Sequence, residues 1–282
     1  MSMDPVIQDA LIDIVIAAGN SILEVYNSDF EVQNKADESP LTQADLAAHN
    51  VIVEGLRSIT PDIPIISEES APPDYAQRKQ WSSYWLVDPL DGTKEFVNRN
   101  GEFTVNIALI EGGLAVYGIV GVPVQDTIYI GDVAADEAWK LTQVSSQTSR
   151  SAIRGRTMSP DQTELMVVAS RSHGGERLES YLDTLEERYT GLTRKPFGSS
   201  LKLCVLAEGG ADCYPRLGPT SEWDIGAAHA VLRAAGGEVY TFDGGVLPYN
   251  SKESLLNPEF VAVADAGFAW FDVLPEVPPL EA

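Results

Sequence analysis

Two cysteines in 282 residues leave little room for a disulfide framework, and Cys204 and Cys213 lack the spacing of a thiolate metal site. Cys204 falls in an apolar helical pattern, which predicts a buried free thiol. Basic residues are also scarce: 19 Lys and Arg against 42 Asp and Glu give a formal charge of -23. That balance argues against non-specific nucleic-acid binding, which relies on Lys and Arg contacts to phosphates, and disfavours docking on an anionic membrane. No run approaches the roughly 20 apolar residues of a membrane span. No basic segment leads into an apolar core near the N-terminus, so no signal peptide is expected. These absences predict a cytosolic protein, with peripheral inner-membrane association as the alternative. Repeats and low-complexity tracts are missing as well. What is present, 44% apolar and 22% charged residues, is enough to bury a large core in one domain or two intimate halves.

The most informative stretch runs from Tyr84 to Phe96. Tyr84-Trp85-Leu86-Val87 reads as a buried strand that delivers Asp88 to its end, where Pro89 stops regular pairing. Asp91 follows in a tight turn, and Gly92-Thr93 can open a helix with its free N–H groups outward. Two carboxylates three residues apart on a stiff turn can converge on one point, with the Leu90 carbonyl as a third oxygen. Hard cations such as magnesium want such a shell, and a helix N-terminus beside it offers a phosphate seat. The competing reading is a proline turn whose aspartates cap a helix. Taken alone, the stretch supports either.

Around it the chain alternates helices and strands. Asp4-Pro5 opens a long amphipathic helix to about Tyr26, and Thr42-Gln43-Ala44-Asp45 has capping-box spacing for a second helix to about Ile59. Locally, Asp45 is then a structural cap. Ile63-Pro64-Ile65-Ile66 is a short strand emerging into Glu68-Glu69, as the later strand emerges at Asp88. Adjacent strands that discharge carboxylates at one edge would build a metal site. Phe103–Ile110 and Leu114–Val122 form a hairpin around Gly112-Gly113, and an antiparallel series continues to Leu141. Residues 142–163 read as a polar connection. Beyond it, further strands and helices carry Ser170, Arg171, His173, Lys195, Ser199, Ser200, Lys202, Arg216 and Asp224. Ser221 and Asp224 also stand in capping-box spacing. His49 and His229 read as ordinary helix residues, and Trp223 as core. The expected organisation is an N-terminal α+β half, residues 1–150, with most candidate ligands, and a C-terminal α/β half, residues 151–282, with Asp224 and the specificity residues.

Asp88-Pro89-Leu90-Asp91-Gly92-Thr93, Glu68-Glu69 after a strand, and Trp223-Asp224 opening a late helix together resemble the inositol monophosphatase superfamily, in the family's order from Lys35 to Gly236-Gly237. The sequence looks most like its 3'(2'),5'-bisphosphate nucleotidases of the CysQ type. The pointers are Asp91-Gly92-Thr93-Lys94-Glu95-Phe96, Gly198-Ser199-Ser200-Leu201-Lys202, and the run from Tyr214 to Asp224. The resemblance implies a layered αβαβα sandwich, as in inositol monophosphatase and fructose-1,6-bisphosphatase, with helix pairs alternating with an antiparallel and a mixed sheet. It also implies two or three magnesium ions. One would take Glu68, Asp88 and the Leu90 carbonyl; the second would share Asp88 and add Asp91 and Asp224. Asp45 and Thr93 would orient the attacking water, with Glu68 completing the catalytic set.

Substrate contacts are expected from Leu90, Asp91, Gly92, Thr93, Ser170, His173, Ser200, Lys202, Arg216 and Asp224. The implied reaction is hydrolysis of adenosine 3',5'-bisphosphate to AMP and phosphate without a phosphoenzyme, linked to sulfate assimilation and sensitive to lithium. The implied partner is that small nucleotide, with no nucleic acid, and the protein a monomer or homodimer. The alternatives are an inositol or sugar monophosphate phosphatase and a non-catalytic phosphate-ligand sensor.

Overall fold

Asp4 caps the first helix, α1 (Pro5–Tyr26), by accepting from the Val6 N–H at 2.8 Å, and Pro5 occupies the first turn, where its missing donor costs nothing. The computed structural model describes residues 2–28, 40–170 and 175–279. Lys35, Arg171 and His173 therefore lie outside the described residues, as does the side chain of Ser170.

The second helix, α2 (Pro40–Ile59), starts earlier than its capping-box spacing predicts. Asp45 is consequently an interior helix residue and not a cap. By length and composition α1 is apolar enough to cross a membrane, contrary to the expectation from apolar runs. Here Leu11, Ile14, Ala18 and Ile22 instead join Ala44, Ala48, Ile52 and Leu56 of α2 in one buried cluster.

That cluster covers one face of a seven-stranded sheet: β1 (Ile65–Ser67), β2 (Ser83–Asp91), β3 (Thr104–Glu111), β4 (Leu114–Val122), β5 (Thr127–Asp132), β6 (Glu137–Thr142) and β7 (Ser149–Ala152), in that order. Strand β7 lies inside the stretch read as a polar connection. Its four residues are all exposed, so it carries no apolar alternation to betray it. Adjacent strands are antiparallel except β1 and β2, which run parallel, so the first sheet is mixed where a purely antiparallel one was expected. The parallel pair makes β1 and β2 emerge at the same edge.

The other face of this sheet meets α6 (Leu201–Ala207) and α7 (Glu222–Ala234), which are sandwiched against the second sheet. That sheet has the order β11 (Glu238–Thr241), β12 (Phe260–Val263), β10 (Cys213–Arg216), β8 (Glu164–Ser170) and β9 (Gly191–Phe197). Leu178, Tyr181, Leu182 and Leu185 of α5 (Glu176–Glu186) close its far face. The short helices α3 (Tyr75–Arg78) and α4 (Thr93–Val97) complete the seven α-helices of the described residues. The order is thus helix pair, sheet, helix pair, sheet, helix.

Two glycines set the height of α7 over the first sheet. A Cβ on Gly118 of β4 would stand 2.0 Å from the Ala227 carbonyl oxygen, and one on Gly131 of β5 2.4 Å from Val231 Cα. Helix backbone therefore lies directly on strand backbone. Cys204 is buried and free, as expected, and so is Cys213.

Candidate active site

The edge shared by β1 and β2 carries the acidic residues. Ser67 pairs with Val87, and the Glu68 N–H continues the ladder to the Val87 carbonyl at 3.1 Å, which brings Glu68 beside Asp88. Strand β2 does not stop at Pro89. It runs on to Asp91 through a bulge: Asp88 faces Asn106 and Asp91 faces Thr104, three steps against two. Proline is tolerated there because a bulge needs no ladder donor at that position. The Leu90 N–H turns back onto Asp88 Oδ1 at 3.0 Å, so the bulge is fastened by the carboxylate it presents. Gly92 follows at φ +95°, where a Cβ would press on Ser199 and Phe103, and α4 begins at Thr93.

Asp224 arrives from the other half of the chain. Its Oδ2 accepts from the Ser221 N–H at 2.9 Å, so the capping reading is correct, yet the same carboxylate lines the cleft. The cap and the site role coexist because a carboxylate has lone pairs for both.

Asp45, Glu68, Asp88, Asp91 and Asp224 act on one another electrostatically. Burial and then the charges of Glu69 and Glu68 push Asp45 up to about 8. Burial and Asp224 raise Glu68 to about 6, against a hydrogen bond with Asp88 that favours its charged form. Burial, then Asp224, raise Asp91 to about 7, with Lys202 and the Ser200 backbone N–H opposing. Asp88 is raised well above the carboxylate range by burial and by Asp91, Glu68, Asp224 and Asp45. Carboxylates forced together in a low dielectric hold protons unless a cation replaces them.

The donor set is all oxygen, which suits magnesium, and the buried Asp45 Oδ1 has no hydrogen-bond partner. No three acidic, imidazole or thiol groups among the described residues already stand as the ligands of one ion. The chemistry fits a cation, and the carboxylates would have to exchange their shared hydrogen bonds for it.

A cleft of about 220 Å³ meets this cluster at Asp91 and Asp224 and is lined by them with Thr93, Glu95, Lys202 and Arg216 among others. Gly92 lines it too, and Thr93 is exposed in its wall. Its basic side comes from α6 and β10. Lys202 is buried near Asp91, Glu95 and Asp224, its ammonium 5.7 Å from the Tyr214 ring centroid. Burial lowers it to about 8 against the pull of Asp91. Arg216 is anchored by the Gly218 and Pro219 carbonyls at 3.2 and 3.0 Å.

Some candidates fall elsewhere. The Lys195 ammonium is bound by the Gly210 carbonyl at 2.7 Å and does not line the cleft. Ser200 is buried, its hydroxyl bonds Thr104 and Asn106, and it does not line the cleft. His229, read as ordinary, is fully buried between the Tyr249 hydroxyl at 2.8 Å and Glu238 at 2.6 Å. His49 meets the Ser67 hydroxyl at 2.8 Å, directly before Glu68. Sequence reading placed Glu69 in the acidic strand exit and Glu95 in a family motif but gave neither an individual role; Glu69 hydrogen-bonds Asp45, and Glu95 is buried in the cleft wall. Adjacency to Glu68 and to the Asp91-Gly92-Thr93 turn was the available signal for both.

Comparison with known proteins places this arrangement. The model of the "Inositol monophosphatase family" matches residues 3–268. The chain is 48% identical over 245 residues to the 3'(2'),5'-bisphosphate nucleotidase CysQ of Escherichia coli (strain K12), covering 86% of this chain and 94% of that one. It is 43% identical to the CysQ of Buchnera aphidicola, covering 91% and 93%. The crystal structure of CysQ from Bacteroides thetaiotaomicron superposes with a TM-score of 0.80 at 40% identity, over 91% of this chain and 97% of that one. An inositol monophosphatase from Zymomonas mobilis shares the fold at a TM-score of 0.70 and 22% identity. With a family match along nearly the whole chain and the acidic edge built as described, the chain belongs to the inositol monophosphatase family.

Proposed function

We propose that the protein is a metal-dependent 3'(2'),5'-bisphosphate nucleotidase that converts adenosine 3',5'-bisphosphate to AMP and phosphate. The observation that carries this is the cleft itself: a carboxylate cluster too acidic to hold a phosphate unaided faces two buried cations, Lys202 and Arg216. A monophosphate needs only the first feature; a bisphosphate uses both. The CysQ relatives support the same substrate class.

In this reading Glu68, Asp88, the Leu90 carbonyl, Asp91 and Asp224 would hold two or three magnesium ions. Such ions, when bound, offset phosphate charge and activate water for in-line displacement. The chain's own contribution is orientation. Asp45, with one carboxylate oxygen unpaired, and the exposed Thr93 hydroxyl hold the attacking water beside Glu68. Lys202 and Arg216 hold the phosphate that is not cleaved, with charge-assisted contacts. Gly92 completes the proposed substrate wall, and Ser170 and His173 are proposed as further substrate contacts on the resemblance alone. We further read the protein as cytoplasmic, monomeric or homodimeric, serving sulfate assimilation and inhibited by lithium.

The test is phosphate release from adenosine 3',5'-bisphosphate and from inositol 1-phosphate, with and without magnesium. Magnesium-dependent release that strongly favours the nucleotide is expected. Equal efficiency on both would return the assignment to a general monophosphatase. No release across a broad phosphomonoester panel would favour a sensor.

A further inference from the structure

Thr104, Asn106 and Ser200 close a hydrogen-bonded ring inside the protein. Ser200 Oγ donates to Asn106 Oδ1 at 2.7 Å, and Asn106 Nδ2 donates to Thr104 Oγ1 at 3.2 Å. Thr104 Oγ1 lies 2.9 Å from Ser200 Oγ, whose only proton is already given, so Thr104 is the donor there. Each hydroxyl thus donates once and accepts once, and the ring runs in one direction. All three residues are 2% exposed or less. Strand positions 104 and 106 point to one face, the face packed against α6.

The ring's place in the fold gives it a purpose that packing alone does not require. An apolar trio would fill a helix–sheet interface at least as well, since buried polar groups contribute little net stability even when fully satisfied. Asn106 and Thr104 are the strand partners of Asp88 and Asp91, one on each side of the β2 bulge. Ser200 donates its backbone N–H to Asp91. The segment before it is drawn onto the same strand region: the Gly198 N–H donates to Glu102 at 2.8 Å, and a Cβ on Gly198 would stand 2.5 Å from Glu95 Cγ. Between these anchors Ser199 sits at φ +44°, a left-handed conformation that a serine adopts only when its neighbours hold it.

We propose that Thr104, Asn106 and Ser200 are positioning residues: their ring locks the segment from Gly198 to Lys202 onto β3, holds the Ser200 N–H on Asp91, and thereby sets the cation affinity of the site without touching cation or substrate. The proposal rests on the reading of Asp91 as a cation ligand. It also reassigns Ser200 from substrate contact to internal clamp.

The experiment measures magnesium binding to the full chain by calorimetry, beside the melting temperature of the metal-free protein. Thr104→Val keeps the shape of the side chain and deletes the hydroxyl, so it should weaken magnesium binding about ten-fold, the scale of a lost ligand-orienting contact. Turnover should recover when magnesium is raised. Thr104→Ser restores the hydroxyl and should restore the affinity. Wild-type affinity in a folded Thr104→Val protein, or equal loss in Thr104→Val and Thr104→Ser, overturns the proposal. If Thr104→Val does not fold, Ser200→Ala breaks the same ring with less change of volume and is read the same way. Asp91→Asn is the control: loss of binding there with none in the ring variants defeats the clamp alone, whereas wild-type affinity in Asp91→Asn defeats the ligand reading on which the clamp rests.

Discussion

The two walls of the cleft are built in opposite ways. The acidic wall is Asp91 at the end of β2 and Asp224 at the start of α7, backed by Asp45, Glu68 and Asp88, where burial and then the neighbouring carboxylates push the carboxyls towards holding protons. The basic wall comes from α6 and β10, and its lysine already feels Asp91, Glu95 and Asp224. One wall is electrostatically frustrated and asks for an added cation; the other is nearly balanced and asks only for an anion to finish it. The division suggests that chemistry belongs to the first and substrate choice to the second.

The sharpest way to break this division is Asp91→Asn. A ligand carboxylate replaced by an amide should cost at least about a thousand-fold in turnover, several kcal/mol of transition-state stabilisation, on every substrate. Circular dichroism and melting should stay near wild type, since the amide keeps the side chain's shape. A near-normal rate at ordinary magnesium would remove Asp91 from the chemistry.

Lys202→Ala probes the basic wall and should spare the chemistry. Loss of a charge-assisted contact of roughly 1.5–3 kcal/mol raises KM for adenosine 3',5'-bisphosphate about ten- to hundred-fold. Hydrolysis of a simple monophosphate should barely change. Parallel loss on both substrates would mean that Lys202 supports the acidic wall through Asp91, and the two walls would then be one.

The smallest effect concerns the metal-free protein. Asp91 rises from 3.8 to about 7 and Asp45 from 3.8 to about 8 in the folded state. Carboxyls whose folded values are raised contribute stability that is fully present below their unfolded values and is lost as pH climbs through the folded ones. The melting temperature without magnesium should therefore fall by a few degrees between about pH 5 and pH 8. Magnesium should reverse most of that fall, and most strongly at the alkaline end. A flat profile without the ion would show that the acidic wall is not strained.

Much of this was readable in the chain. That Glu68 and Asp88 each leave the end of a buried strand followed from two apolar runs ending in acid, because a strand's burial and its exit are both local properties; that the two strands run parallel side by side did not. Asp45 and Asp224 mark the limit. Both stand in capping-box spacing, and only Asp224 caps. Helix α2 begins at Pro40, and no local rule says whether the later Thr42 or the earlier proline opens it. The Thr104–Asn106–Ser200 ring was beyond reach for a different reason: its members are up to 96 residues apart and each looks unremarkable in its own segment. Strand β7 was missed because pairing with β6, and not its own composition, makes it a strand.

Gly118 and Gly131 carry no chemistry, yet Asp224 depends on them. Because α7 rests backbone on backbone, its distance from the sheet is defined by two hydrogen atoms. Alanine at Gly118, the smallest enlargement available, would meet the Ala227 carbonyl and lift the helix whose first turn holds Asp224. A lineage that acquired this change would keep every acidic residue of the site and still lose their alignment. Variants of this enzyme that are inactive with an intact set of ligands should be sought first among such silent neighbours, where a methyl group is the lesion.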